Sequence, residues 1–190
     1  MKSLVFGMIA LMSTATVAQK QTPTPTYPTN SQIQLLITQA ERAFANYEAA
    51  VQLEATEFGA AAGAAQDHEV TVAAKDLLAR LKKEPQNFNS PFGFVLVIDL
   101  DDASRDMAVC MSQGANSAMG LASEGHYHDA TRKMTVSRTC LDSSQLLYTV
   151  SESATQLYED YLLANAVLQN QAVEALQKCS NVMKEHPKNP

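Results

Sequence analysis

Most of the patterns that would announce a chemistry are missing from this sequence. There is no Cys-x-x-Cys-His for haem attachment, no glycine-rich phosphate loop or dinucleotide fingerprint, and no Gly-x-Ser-x-Gly elbow to expose a serine nucleophile. No glutamate is followed by histidine at the third position, which removes the ligand motif of a di-iron bundle. Basic charge is scarce. Lys and Arg number 14 against 20 Asp and Glu, for a formal net charge of −6. Basic residues gather only in pairs such as Lys82-Lys83 and Arg132-Lys133. An acidic surface without a basic cluster repels phosphate backbones and anionic lipid, so nucleic-acid binding is excluded. Beyond the N-terminus no apolar run approaches the length of a membrane span. Gly and Pro are absent from residue 141 to residue 186, which removes every strong helix breaker from that stretch.

The N-terminus carries a targeting pattern. Lys2 is followed by an apolar run at residues 4–12 (LVFGMIALM) and by small residues at 13–18 (STATVA). A positive start, a short apolar centre and a small-residue cut site read as a secretory signal peptide, with cleavage expected after Ala18. Residues 19–30 hold Pro23, Pro25 and Pro28 and read as an extended Pro/Thr-rich tether. The protein is therefore expected to be exported, periplasmic or secreted. What remains is long enough for one domain with a core, assigned to residues 31–186, and a disordered tail at 187–190.

The periodicity of that domain is helical. Ile33, Ile37, Ala40, Phe44, Tyr47, Val51 and Phe58 form a heptad-like seam, with Asn30 or Ser31 as cap. Val70, Ala74, Leu77 and Leu81 form a second seam out of phase with the first, so a turn is expected near Gly59 and Gly63. Helix two is expected over 67–83, ending before Pro85. Ser90-Pro91 opens a third helix to about Met119, along Leu96, Leu100, Ala103, Met107 and Cys110. The alternative for its start is a two-stranded β ribbon, pairing FVLVI (94–98) with KMTVS (133–137). Residues 120–140 show no clear helical period and read as a long loop. The last helix is expected over 142–185, capped by Asp142 or Ser143, on the order of 60 Å long. Its seam runs through Leu147, Val150, Ala154, Leu157, Tyr161, Ala164, Leu168, Gln171 and Ala175. The fold class expected is all-α, a four-helix bundle whose last turns project.

Four features could carry function. The three cysteines are Cys110, Cys140 and Cys179. A continuous last helix holds Cys140 and Cys179 more than ~50 Å apart, so the expected disulfide is Cys110 with Cys140. In SEGHYHD (123–129), His126 and His128 would face one side of an extended segment and could begin a copper or zinc site. His68, Glu124, Asp129 or Met107, Met111, Met119 and Met134 would have to complete it. The commoner role of such a stretch is a polar loop. Glu54 falls on the first seam and Glu159 near the last, which reads as edge positions or a buried polar contact that sets register. DLDDASRD (99–106) has Ala103 and Ser104 where an EF-hand needs a ligand and glycine, so it reads as a solvated face.

No spacing marks a nucleophile. A hydrolase would have to assemble its site from distant residues, with His68 as base. The leading expectation is a non-catalytic interaction or scaffold protein of the cell envelope or extracellular space. It would bind a protein partner or self-associate through the long C-terminal helix. The alternative is a small metal-binding protein built on His126 and His128.

Overall fold

The computed structural model describes residues 26–59 and 69–185, with side chains as far as 178. The signal segment, most of the tether, the turn at Gly63, His68 and the C-terminal tail lie outside the described residues. Four α-helices make up the fold, and no strand occurs among the described residues: α1 (Asn30–Phe58), α2 (Glu69–Lys83), α3 (Pro91–Ser123) and α4 (Tyr127–Glu185).

α1 is capped one residue earlier than expected. The Thr29 hydroxyl accepts from the Gln32 amide at 3.3 Å, and the Gln32 side chain accepts from the Thr29 amide at 2.9 Å. This reciprocal capping box satisfies two backbone donors at once. The buried stripe of α1 runs from Ile33 through Ala40, Phe44 and Tyr47 to Glu54. α2 turns slightly from its expected seam. Thr71, Ala74, Leu78 and Leu81 are buried, while Val70 and Leu77 are half-buried against the core.

A single 3₁₀ turn (Pro85–Phe88) leads to α3 and drops Phe88 into the core at 0% exposure. Ser90 caps α3 by accepting from the Phe92 amide at 3.2 Å, with Pro91 in the first turn. Position 93 must be glycine. A Cβ on Gly93 would stand 2.1 Å from the Phe88 carbonyl oxygen, a clash with backbone that cannot move aside.

The β ribbon does not form. FVLVI lies in α3 and KMTVS in α4. The reason is burial at helical spacing: Leu96, Leu100, Ala103, Met107 and Cys110 share one buried face, while Val95 and Ile98 point outward. The long loop at 120–140 is also overturned. The break shrinks to residues 124–126, where Gly125 takes φ +86° and closes a tight αα-hairpin. α4 therefore starts at Tyr127 rather than 142. Its 59 residues run roughly 90 Å at ~1.5 Å each. Its first half buries Ala130, Lys133, Val136, Ser137, Cys140, Ser143, Ser144, Leu147, Val150 and Ala154.

The helices alternate in direction. Glu41 with Lys82 and Glu48 with Lys75 set α2 antiparallel to α1. Glu54 with Lys133 and Tyr27 with Tyr161 set α4 antiparallel to α1. α3 and α4 approach closely because their seam is built from small residues. A Cβ on Gly114 would meet Ser137 at 3.1 Å. The Ser137 hydroxyl donates to the Met111 carbonyl at 2.7 Å, and the Ser144 hydroxyl to the Ser104 carbonyl at 2.8 Å. Between these two bridges, Cys110 and Cys140 stand at disulfide distance, with Cα atoms 6.0 Å apart.

Candidate functional site

The hairpin between α3 and α4 scatters the residues of SEGHYHD rather than gathering them. His126 lies in the turn, where its amide donates to the Leu121 carbonyl at 2.9 Å. His128 sits in the first turn of α4, 81% exposed, with Nδ1 3.7 Å from Asp129 Oδ1. His126 precedes α4 and His128 lies within it, so the extended segment that would put both rings on one side is absent. Among the described residues no three His, Cys, Asp or Glu side chains come together as a metal site. The methionines divide as well. Met107 is buried in the core and Met111 packs against it. Met119 and Met134 line an open hollow of about 450 Å³ beside the turn, with Tyr127 and Arg138. Neither histidine lines it.

One polar centre is closed. Glu54 from α1 and Lys133 from α4 are 2% and 4% exposed and meet at 2.5 Å. The Lys133 ammonium also lies 4.3 Å from the centre of the Phe58 ring. Arg132 pairs with Glu57 beside it. The pair is buried and joins the end of α1 to the start of α4. Glu54 marks itself in the sequence by breaking an apolar seam. Lys133 does not, because nothing near it in the chain looks like a core.

The acidic run on α3 is largely solvated. Arg105 pairs with Asp101 at 2.5 Å and with Asp102 at 3.9 Å, and is itself 73% exposed. Partial burial, and then the neighbouring Asp102 charge, push the Asp99 carboxyl above its usual range. On the facing helix, a hydrogen bond with Glu152 and the charge of that carboxylate raise the Tyr148 phenol. Glu159 is exposed.

Aromatic rings gather where the body ends. Tyr158 stacks against Tyr161 at 5.5 Å and Phe94 at 6.0 Å, and meets Phe88 edge-on at 6.2 Å. Tyr27, from the segment before α1, adds to Tyr161 at 5.9 Å. Past this collar the described part of α4 soon loses its cover. Ala164 is the last described residue to be buried, and every side chain from 168 to 178 is exposed. Leu162, Leu163, Leu168, Val173 and Leu176 are each about half exposed or more, with Leu176 at 70%. The end of the described part of α4 is thus an exposed helical surface that carries large apolar side chains.

Set against known proteins, the chain matches no family model, no curated protein and no solved structure.

Proposed function

We propose that this is an exported, non-catalytic interaction or scaffold protein of the cell envelope or extracellular space. In this reading a four-helix bundle carries the end of α4 as a contact arm. The observation that carries the proposal is the row of large apolar side chains on α4 beyond Ala164, left exposed by every described part of the chain. Leucine and valine on a free helical surface cost solubility unless something covers them.

Export is supported by the tripartite pattern of residues 1–18 and by the placement of Cys110 against Cys140, since disulfides persist in oxidising compartments. Among the described residues no helix is long and apolar enough to cross a membrane. We assign Cys110 and Cys140 as a disulfide that staples the α3–α4 hairpin.

The experiment is site-specific photo-crosslinking in cells that secrete the protein. A photoreactive residue at position 176 is expected to give a discrete protein adduct. The same residue at position 152, on the solvated body, is expected to give none. No adduct from 176, or equal adducts from both positions, overturns the proposal. N-terminal sequencing of the secreted protein should read from Gln19.

A further inference from the structure

We infer that the partner of this arm is a second copy of the same chain, paired in parallel along the stripe Leu162, Ala166, Gln169, Val173 and Leu176. The inference rests on the arm being a contact surface, as proposed above. The five residues follow a 4-3-4-3 spacing, which keeps them on one side of a helix that supercoils with another. They lie about a third of a turn away from the stripe of Val150, Ala154 and Ala164 that faces the body. The body's own packing therefore leaves them free.

Charge selects the partner. The whole chain carries −6, yet between residues 162 and 178 the only charged side chains are Glu174 and Lys178. These have opposite signs and sit four apart in the order that suits a helix. An acidic or basic partner would find nothing to recognise there. A second arm carries no net charge, so two copies of this acidic chain approach there without repulsion.

Gln169 sets the register. Its amide both donates and accepts, so an unrelated apolar surface would bury it without partners. The same amide on an in-register copy supplies both. Val173 and Leu176 fall at a and d positions, and a β-branched residue at a with leucine at d favours two parallel strands. The stripe is short. An interface on the order of 1,000 Å² lies at the small end of specific contacts, so the dimer should be reversible.

The test is sedimentation velocity of the mature full chain from about 1 to about 500 μM. It is run in a Cys179→Ser background, so that chance oxidation does not link copies. A concentration-dependent monomer–dimer equilibrium is expected. Val173→Glu with Leu176→Glu should raise the dissociation constant at least ~tenfold while leaving helix content and melting temperature unchanged. Gln169→Leu should tighten association, because a polar residue in the seam costs stability. A monomer across the whole range, or a dimer indifferent to the double substitution, overturns the inference. A monomer whose position 176 still cross-links to a different protein sinks the second copy alone. A monomer with no adduct sinks the contact arm as well.

Discussion

Along α4, residues 130–154 and residues 162–178 belong to one continuous rod, yet they are written in opposite ways. Besides Val136, Leu147 and Val150, the inner face of the first stretch is alanine, serine, cysteine and a lysine. The second leaves leucine and valine exposed. Hydrophobicity alone does not separate them. Burial follows the neighbour. α3 comes close enough to cover small side chains, as Gly114 against Ser137 shows, whereas no described element reaches the arm. Serine hydroxyls are tolerated inside because each bonds a backbone carbonyl: Ser137 to Met111, Ser143 to Thr139, Ser144 to Ser104. The arm has no such interior to satisfy.

This contrast can be broken from the buried side first. Lys133→Met leaves the Glu54 carboxylate in a dry site beside Phe58, without the ammonium that meets it. Breaking a buried pair from one side costs about 3–5 kcal/mol, so thermal melting should fall by roughly 10 °C or more. Glu54→Leu with Lys133→Met should recover most of that loss, because an apolar pair of similar volume replaces two desolvated charges. A double variant as unstable as the single one would show that the pair does more than balance itself.

The staple comes next. The cysteines are 30 residues apart in sequence, and closing a loop of that size is worth about 3.5 kcal/mol in the chain-entropy model. Cys110→Ala with Cys140→Ala should lower the denaturant midpoint accordingly, and reductant should then have no further effect on folding. A midpoint equal to that of the parent chain would remove the disulfide from the account.

A smaller effect is expected at the tight crossing. Gly114→Ala puts a methyl 3.1 Å from Ser137 Cβ, while alanine gains about 1 kcal/mol of helix propensity over glycine. Overpacking costs about 1–3 kcal/mol, so a net loss near 1 kcal/mol should appear in chemical denaturation, along with a weakened Ser137–Met111 bond. The least effect belongs to the arm. Ending the chain after residue 166 removes no described buried side chain, so body stability should change by less than about 0.5 kcal/mol. A large drop in the melting temperature of dilute protein would mean that the arm folds back on its own body.

Much of this organisation was legible in the amino-acid order. The 4-3 spacing from Ile33 to Tyr47, the Ser90-Pro91 start and the absence of Gly and Pro from residue 141 to residue 186 dictate helices by local physics: periodic burial, capping, and the lack of a breaker. The choice of Cys110 for Cys140 followed from the reach of a rigid helix, and the structure sets those two at disulfide distance. Glu54 stood out as a polar residue on an apolar seam. The start of α4 did not, because Ala130, Lys133, Ser137 and Cys140 carry no hydrophobic period. Their spacing becomes meaningful only once α3 lies against them. For the same reason SEGHYHD read as an extended loop in which His126 and His128 would share a side, whereas His126 lies in a tight turn and His128 in the first turn of α4. Sequence by itself determined that the fold is helical and that its last helix is long, since propensity and periodicity act over a few residues. Tertiary structure alone decided which lysine enters the core, where α3 turns into α4 and which leucines stay in water, because each depends on the distance to a helix far away in the chain.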